Sequence, residues 1–286
     1  MTEKILNFDF PLWKKFLTKK RMLLGMKTAL LISTYNWPEA LNLVLKSVQA
    51  QTVMPDEILI ADDGSREDTK QVIDSFRDKI SSPIKHIWHE DEGFRRSRIL
   101  NKAISETIAD YIIQTDGDCL IHPRFVEDHI LKAKPNTYLF GSRVNLLEEG
   151  VKELFEKEVT QFGVFSKLIK NRTRNIHCSV LANLYNPQKA LSKKLRGCNM
   201  SYWKSDFIAV NGYDNSYEGW GREDSDLATR LTNSGLYSQR MRYTAIVYHI
   251  WHREASKERL GLNDEIFNKV IAEKNTRCES GINEYL

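Results

Sequence analysis

Short, continuous apolar runs alternate with amphipathic segments through the first half of the chain. The apolar runs cover residues 28–33, 57–61, 111–113 and 138–140, and the more polar residues 85–89 are a candidate for a further strand. Continuous apolar strands that alternate with amphipathic helices are typical of a mainly parallel sheet with helices on both faces. The pattern therefore predicts an α/β fold with five strands in this half.

Residues at helical spacing lie between these runs. Pro38 suits the first turn of a helix, and apolar residues follow it at intervals of three and four as far as Val48. A polar helix is expected over about residues 66–79, and another over Arg95–Thr107. These helices would cover the faces of the predicted sheet.

The second half of the chain is less regular. Residues 151–172 are expected to be helical, residues 173–196 are ambiguous, and a later helix carries Leu227 and Leu231. A β-like run, Ala245-Ile246-Val247, comes near the end of this half. No repeat or low-complexity linker separates the halves, so one compact domain with an inserted or appended subdomain is expected.

Polar clusters follow three of the predicted strands. They are Thr34-Tyr35-Asn36, Asp62-Asp63 and Asp116-Gly117-Asp118. Because ligands bind beyond the carboxyl ends of parallel strands, the clusters are expected to share one rim of the sheet. The chain has neither GxGxxG nor GxxxxGK[ST], which leaves a dinucleotide fold or a P-loop without support.

Carboxylates in two of these clusters are candidates for binding. Asp116 and Asp118 flank a glycine, which allows close approach to a divalent cation, and hard oxygen ligands suit Mg²⁺ or Mn²⁺. The alternative is an ordinary Asp-Gly turn. Asp62-Asp63 can accept a hydrogen bond from a nucleobase, or can be a turn that caps the next helix.

Two clusters in the second half carry further candidate chemistry. Residues 218–226 place four acids beside Trp220, which would wall the face of a sugar, and Asp224 is a candidate general base. The alternative is a set of acids that the helix dipole favours in a first turn. His249 and His252 lie three residues apart after a β-like run, either as metal ligands or as structural histidines.

Length and composition exclude several classes of protein. The 286 residues are 41% hydrophobic and 10% aromatic, so the chain can bury a core and is not a disordered protein. No apolar run approaches the roughly 20 residues that cross a bilayer, and no secretory signal is expected at the N-terminus, where basic residues interrupt the apolar ones. The cysteines have no metal-binding spacing and are expected to be free thiols. They are Cys119, Cys178, Cys198 and Cys278.

The formal net charge of +4 hides an uneven distribution. Residues 11–27 carry six Lys or Arg and no acid, and residues 159–196 carry eight and no acid, so the rest of the chain is net acidic. Solvated helix faces are the default explanation. The alternative is docking to an anionic membrane or to an acidic, lipid-linked glycan, since residues 11–27 interleave apolar residues with cations. Nucleic acid is not expected as a partner, because no recognition motif accompanies the charge.

Taken in order, the motifs resemble those of the inverting, metal-dependent nucleotide-sugar glycosyltransferases of family 2, which have the GT-A fold. The first half of the likeness rests on residues 31–36, Asp62-Asp63-Gly64-Ser65 and Asp116-Gly117-Asp118. The second half resembles the galactosyltransferase-type C-terminal region that β-1,4-galactosyltransferases share with bacterial chondroitin-type polymerases. The matching stretches there are 199–201, 211–214 and 219–227, with 92–101 from the first half. The likeness covers about residues 28–252, and it implies a mainly parallel sheet with a mixed C-terminal acceptor and metal-binding part.

The resemblance implies a nucleotide-sugar site on the predicted rim. Thr34, Tyr35 and Asp62 would hold the uracil and ribose, and Asp116 would contact the ribose or support the metal. The implied donor-binding residues are Thr34, Tyr35, Asn36, Asp62, Asp63, Phe94, Arg96, Asp116, Gly117 and Trp220.

The resemblance also implies the reacting groups. Asp224 would take the proton of the acceptor hydroxyl, and Glu223 would position the acceptor or the donor sugar. Asp118 would ligate Mn²⁺ or Mg²⁺ together with His249, and His252 is the rival ligand in the same motif.

Two residues depart from the family's usual aromatic-Gly-Trp-Gly-Gly run. Arg222 stands at its last position and Glu218 at its first, and both are expected to alter the acceptor site. Residues 142–198 carry no family motif, which leaves the acceptor open. The expected division of the chain is a basic amphipathic extension (1–27), a nucleotide-sugar-binding half (28–144), a helical, basic insertion that faces acceptor or membrane (145–198), and a catalytic and acceptor half with a C-terminal helix (199–286).

The expected function is transfer of a hexose or N-acetylhexosamine from a UDP-sugar to a glycan or lipid-linked acceptor, with formation of a β-glycosidic bond in bacterial surface-polysaccharide synthesis. One alternative is a nucleotidyltransferase, which would release pyrophosphate rather than UDP. Another is a non-catalytic glycan-binding module. The expected location is cytoplasmic, with peripheral contact to the inner face of the membrane left open.

Overall fold

The computed structural model describes residues 25–253 and 256–286, so most of the basic segment 11–27 lies outside the described residues. The strands are β1 (Thr28–Thr34), β2 (Glu57–Asp62), β3 (Ile84–Trp88), β4 (Tyr111–Asp116), β5 (Cys119–Ile121), β6 (Thr137–Phe140), β7 (Arg143–Asn145), β8 (Met200–Trp203), β9 (Tyr237–Arg240) and β10 (Val247–His249). The α-helices are α1 (Pro38–Gln49), α2 (Glu67–Ser75), α3 (Arg96–Ser105), α4 (Phe125–Lys132), α5 (Val151–Glu156), α6 (Ser179–Ala182), α7 (Lys204–Ala209), α8 (Glu223–Asn233) and α9 (Leu260–Glu273). Short 3₁₀ helices cover Glu148–Gly150, Arg172–Asn175 and Ile282–Glu284. Among these helices, none is both long and apolar enough to cross a membrane.

The larger sheet has seven strands in the order β3-β2-β1-β4-β8-β6-β9. The first four are parallel to one another, β8 is antiparallel to both β4 and β6, and β9 is parallel to β6. All residues of β1 and β2 are buried, as their continuous apolar sequences predict. The predicted α/β architecture with a mainly parallel sheet is therefore confirmed.

Alternate residues of β1 pack into different cores on the two faces of the sheet. Leu30 and Ile32 lie in the core that α1 covers, and Ala29 and Leu31 lie in the core that α3 covers. Both cores extend over the neighbouring strands, which fixes the register of the sheet and the places where the strands end.

The prediction of a helix over residues 151–172 is wrong beyond the first turns, because α5 ends at Glu156. Glu158 adopts a φ of 49°, which turns the chain out of the helix. The residues that follow lie along β7: Leu147 N–H donates to the carbonyl of Leu168, and Lys170 N–H donates to that of Asn145. Pairing with a strand thus replaces the helix, and the segment has little regular structure.

The smaller sheet has the order β5-β10-β7, with β10 antiparallel to β5 and parallel to β7. His249 of β10 lies opposite Cys119 on one side and opposite Asn145 on the other. Since β5 begins one residue after Asp118, this sheet carries the end of the chain's second half to the carboxyl end of β4.

Candidate active site

The three polar clusters of the first half meet at one rim of the large sheet. In register, Thr34 lies opposite Asp62 and Ser33 opposite Asp116. The N–H of Gly117 donates to the carbonyl of Ser33 over 2.7 Å, and a Cβ at Gly117 would lie 2.9 Å from Oγ1 of Thr34. Only glycine fits this approach, so the Asp-Gly-Asp turn packs directly onto the end of β1.

Asp62 pairs with a histidine of β3, and Asp63 pairs with the histidine that follows this strand. Nε2 of His86 lies 2.8 Å from Oδ2 of Asp62, and Nε2 of His89 lies 2.7 Å from Oδ1 of Asp63. Asp62 is 1% exposed and also accepts a hydrogen bond from the N–H of Ser65. A nucleobase at this position would share these carboxylates with their internal partners. No sequence pattern pointed to these two histidines, because they come close to Asp62 and Asp63 only when β3 pairs with β2.

The loop after β1 is fastened to the loop after β2. The N–H of Asn36 donates to Oγ of Ser65, and Oδ1 of Asn36 accepts from the N–H of Arg66. The hydroxyl of Tyr35 donates to Oδ2 of Asp91 over 2.8 Å, which raises the pKa of Tyr35. The Tyr35 ring is exposed, so it is free to cover a ligand at the rim.

Arg96, the first residue of α3, bridges the rim to α8. Its Nη2 lies 2.6 Å from Oδ1 of Asp116, and its Nη1 lies 3.2 Å from Oε1 of Glu223. Asp116 also accepts a hydrogen bond from the hydroxyl of Ser33. Burial opposes the charge of Arg96, but the two carboxylates outweigh it and raise the pKa of the guanidinium. This bridge holds the two halves of the rim together.

Glu223 and Asp224 begin α8 and face the rim. Burial, with the adjacent charge of Asp224, raises the pKa of Glu223 to about 7, although Arg96 acts in the opposite direction. Oδ2 of Asp224 accepts a hydrogen bond from the N–H of Gly197 over 2.8 Å, which fixes the orientation of the carboxyl group. The two neighbouring acids thus have different environments within one site.

The other acids in residues 218–226 have structural partners. Asp226 pairs with Arg230 one turn along α8, and both side chains are fully buried. Oε2 of Glu218 lies 2.6 Å from Nη2 of Arg259, just before α9. The sequence singled out Asp224 and Glu223, but it did not reveal the partners of Glu218 and Asp226, because those partners lie elsewhere in the fold.

The loop before α8 carries the two departures from the family's pattern. Arg222 adopts a φ of 82°, the left-handed region that glycine favours, at the position where the family's usual run has glycine. Its guanidinium pairs with Asp264 of α9 and lies over the ring of Phe267. With the pairing of Glu218, this contact fastens the loop to the C-terminal helix.

Two exposed aromatic side chains stand close together at the rim. The N–H of Gly219 donates to the carbonyl of Phe94 over 3.1 Å, which joins the loop of Phe94 to the loop of Trp220. Trp220 is 45% exposed, and Nζ of Lys257 lies 5.8 Å from the centre of its ring. Trp220, the predicted wall of a sugar site, is thus exposed on the loop that leads into α8, and its role stays a prediction.

Asp118, His249 and His252 form a compact group of potential ligands. Oδ2 of Asp118 lies 3.5 Å from Nε2 of His249 and 3.1 Å from Nε2 of His252, and the two nitrogens are 3.3 Å apart. Ligands that surround one divalent ion at about 2.1 Å have mutual distances of about 3 Å in an octahedral arrangement, so the group fits such an ion. The sequence set His252 against His249 as rivals, whereas the structure places both beside Asp118.

The pairing of β5 with β10 explains this convergence. Cys119, the neighbour of Asp118, lies opposite His249, and the N–H of Ile250 donates to the carbonyl of Asp118 over 2.9 Å. Burial opposes ionisation of Asp118, but the histidines outweigh it and lower the pKa of its carboxyl group. Burial lowers the pKa of His249, which favours the neutral imidazole that ligates metals.

All four cysteines are free, as expected. Two of them are nonetheless close to the rim: the thiols of Cys119 and Cys198 lie within 4.8 Å of each other and of a carboxylate oxygen of Asp116. Burial raises the pKa of the Cys119 thiol, so it packs there in its neutral form. The sequence did not predict this group, because Cys198 lies far along the chain from Asp116 and Cys119.

Relatives among proteins of known sequence share most of this chain. Chondroitin synthase from Escherichia coli is 22% identical over 237 residues, which are 77% of this chain and 34% of that protein. Validoxylamine A glucosyltransferase from Streptomyces hygroscopicus subsp. limoneus is 26% identical over 226 residues, or 73% of this chain and 48% of that protein. The chain thus spans between about a third and a half of the length of these two relatives.

Solved structures of S. aureus TarS have a similar fold. Full TarS has a TM-score of 0.58 at 14% identity over 91% of this chain and 41% of that chain. TarS 1–349 in complex with UDP has a TM-score of 0.59 over 91% of this chain and 68% of that chain. The fold is therefore the GT-A fold that the sequence motifs implied.

Two family models match the chain in succession. Residues 177–253, which include Trp220 and both candidate metal-ligating histidines, match the N-terminal domain of galactosyltransferase. Residues 29–191, which carry the first three polar clusters, match glycosyl transferase family 2. Since that match covers more than half of the residues of this chain, the chain belongs to glycosyl transferase family 2.

Proposed function

We propose that this chain is an inverting, metal-dependent glycosyltransferase that moves a hexose or N-acetylhexosamine from a UDP-sugar to a glycan or lipid-linked acceptor. The observation that carries the proposal is a convergence on one rim. The Asp118–His249–His252 group lies at the carboxyl end of β4, and Arg96 joins neighbouring Asp116 to Glu223 beside Asp224. A metal position and two neighbouring carboxylates are groups that can serve sugar transfer from a nucleotide.

A UDP-sugar is the proposed donor. Glycosyltransferase activity follows from the family, and TarS has been solved with UDP and with UDP-GlcNAc. In this chain Thr34, Tyr35 and Asp62 would hold the uracil and ribose, with Asn36 and Asp63 beside them. The exposed ring of Tyr35 at the rim is consistent with a stacked base.

Mn²⁺ is the better candidate of the two expected ions. One carboxylate and two imidazoles form the donor set, whereas Mg²⁺ prefers oxygen ligands alone. A bound divalent ion would supply positive charge to the departing diphosphate. Phe94 and Arg96 would lie beside the nucleotide and its phosphates, so Arg96 would exchange part of its contact with Asp116 for the ligand.

The proposed reaction is a single displacement. The acceptor hydroxyl attacks the anomeric carbon from the face opposite the nucleotide, Asp224 takes the hydroxyl proton, and the bond to UDP breaks with its electron pair on UDP. An α-linked donor therefore becomes a β-glycoside. Glu223, with a pKa of about 7, is partly protonated near neutral pH and can donate a hydrogen bond to a sugar hydroxyl. Trp220 would cover the face of the acceptor sugar.

The setting of the reaction is proposed to be bacterial surface-polysaccharide synthesis at the cytoplasmic face of the membrane. The relatives chondroitin synthase and validoxylamine A glucosyltransferase support glycosyl transfer as the chemistry. The interleaved cations and apolar residues of 11–27 are the basis for peripheral membrane contact, and they lie mostly outside the described residues.

A donor screen tests the proposal. The chain is incubated with Mn²⁺ and a panel of UDP-hexoses and UDP-N-acetylhexosamines, and UDP release without acceptor is measured beside the same panel with Asp118→Asn. Metal-dependent release of UDP from at least one donor is expected, with a β-linkage by NMR once an acceptor is supplied. Release of pyrophosphate would favour a nucleotidyltransferase, and sugar binding without turnover would favour a binding module. No release and no nucleotide binding for any donor would overturn the proposal.

A further inference from the structure

A group of half-buried arginines without acidic partners lies at the far end of the same rim. We define the arginine–tyrosine cluster as Arg174, Arg240, Arg242, Tyr185 and Tyr243. Within residues 25–253 and 256–286, none of the three arginines forms an ion pair. The Nε atom of Arg240 is buried and has no hydrogen-bond partner within those ranges. Half-buried cations without counterions are costly, because desolvation is not offset by an opposite charge.

The topology places this cluster on the ligand-binding side of the sheet. β4 and β6 are both antiparallel to β8 and are therefore parallel to each other, and Arg240 lies opposite Phe140 at the end of β6. Arg240 thus leaves the sheet at the same edge as Asp116. Three strand spacings separate β9 from β4, which is about 14 Å along that edge.

A chain of contacts leads from the candidate metal group to the cluster. His249 lies opposite Asn145 on β7, and Arg143 is two residues earlier on that strand, so its side chain leaves the same face. Nη1 of Arg174 then donates to the carbonyl of Arg143 over 2.9 Å. The charge of Arg143 acts on His249, and the charges of Arg242 and Arg174 act on Arg240, so positive groups lie near both the candidate metal group and the cluster.

The tyrosines hold the arginines by their faces. The guanidinium carbon of Arg240 lies 5.8 Å from the Tyr185 ring centre, and that of Arg242 lies 4.7 Å from the Tyr243 ring centre. Nε2 of Gln239 donates to the carbonyl of Tyr185, which fixes this segment against β9. An arginine that stacks on a ring keeps its in-plane N–H donors available for bidentate binding of an oxyanion.

We propose that the arginine–tyrosine cluster binds an anionic group of the acceptor glycan, a carboxylate or a phosphate, at least one sugar unit away from the reacting hydroxyl. This inference rests on the proposed function and adds the class of acceptor to it. The geometry favours a glycan over a membrane surface, because these arginines are recessed at the rim of the sheet. Exposed apolar side chains of the kind that dock to membranes, such as Val180, Leu181 and Leu184, lie instead on the neighbouring segment, and the vesicle arm of the test measures their contribution.

The test compares two double variants with the same loss of charge. Arg240→Gln/Arg242→Gln removes charge from the cluster, and Lys170→Gln/Arg172→Gln removes it from exposed positions of the neighbouring basic segment. Binding is measured by calorimetry for a uronate-containing oligosaccharide and its carboxyl-reduced form, for a phosphodiester-linked oligosaccharide and its neutral counterpart, and for vesicles with anionic lipid. UDP affinity and the UDP release of the donor screen are measured for each variant.

We expect at least one anionic oligosaccharide to bind about tenfold or more weakly to the cluster variant and almost unchanged to the control variant. The neutral forms and UDP should bind equally to both. The anionic ligand that responds identifies carboxylate or phosphate as the recognised group. Equal weakening in both variants, loss confined to vesicles, loss of UDP affinity, or no binding of either anionic oligosaccharide would overturn the assignment. UDP release reports separately on the proposed function, since neither double variant removes a residue assigned to it.

Discussion

The two ends of the rim differ in how their charged groups are satisfied. At the ends of β1, β2 and β4, Asp62 and Asp63 pair with histidines, and Asp116 pairs with Arg96. At the end of β9, Arg240 and its neighbours have no acidic partner within the described part of the chain. Internal pairing organises a site before its ligand arrives, whereas unpaired charge gains most from a ligand. This difference is consistent with the proposed roles, in which the first end binds the nucleotide and the second binds an anionic group of the acceptor.

Asp224 offers the strongest test of this comparison, because it would react at the junction of the two ends. Asp224→Asn should lower kcat for transfer by about 10²–10⁴-fold, since the amide cannot take the hydroxyl proton. UDP-sugar affinity by calorimetry should stay within a few-fold of the unchanged chain. Turnover close to normal would remove Asp224 from the mechanism.

Glu223 tests whether burial raises the pKa of a carboxyl group at this place in the rim. Its pKa of about 7 lies above the ordinary value, so the folded state holds a proton that the unfolded chain has lost. Glu223 thus stabilises the fold fully below about pH 4.5, and this contribution is lost as pH rises through about 7. The stability lost is on the order of 3 kcal/mol. Glu223→Gln should flatten the dependence of unfolding free energy on pH over this window.

Asp206→Asn is the matched control for Glu223→Gln, because its carboxyl group is also partly buried with a raised pKa but lies on α7 outside the rim. The control variant should leave activity unchanged. An unchanged pH dependence in Glu223→Gln would show that the carboxyl group titrates normally.

The candidate metal group tests how the second half of the chain completes the first. His249→Ala and His252→Ala should each weaken Mn²⁺ binding by at least about tenfold, because each removes one of three neighbouring ligand atoms. Electron paramagnetic resonance of Mn²⁺ measures the affinity directly. His122→Ala, at a histidine away from the group, is the control. Full affinity in either rim variant would exclude that histidine as a ligand.

Arg222 gives the smallest expected effect and concerns the loop between the two ends. At a φ of 82°, a residue with a Cβ costs about 1 kcal/mol more than glycine. Arg222→Gly and Arg222→Ala both lose the pairing with Asp264, so their difference isolates the backbone. The Arg222→Gly variant should be about 1 kcal/mol more stable than the Arg222→Ala variant, as measured by urea unfolding. Equal stability would mean that the loop relaxes.

The same contrast decides how far the sequence predicts the fold. The first four strands have five to seven residues each, and the sequence predicts the bounds of each within a few residues. β9 buries Ser238 and Gln239, polar residues that give no strand signal, and β5 and β7 have three residues each. Tertiary pairing forms these short strands, so no local pattern reveals them.

The candidate site divides in the same way. The order of the motifs identified Asp116, Asp118, Glu223 and Asp224 as candidate site residues, and the structure places them at one rim of the sheet. Their contacts depend on which strands and helices become neighbours, as in the bridge of Arg96 between Asp116 and Glu223 and the hydrogen bond from the N–H of Gly197 to Asp224. The proposed roles of these residues remain predictions that the experiments above test.

The pairing of β5 with β10 would make binding of an ion at the candidate metal group a reporter of completed folding. Asp118 and the two histidines are far apart in the sequence, and they meet only after β10 inserts between β5 and β7. An ion that binds this group would therefore fasten the end of the matched region to the centre of the molecule. At an ion concentration 100 times the Kd, it would stabilise the folded chain by about 2.7 kcal/mol. A cell that limits this ion would then control the amount of folded enzyme as well as its rate.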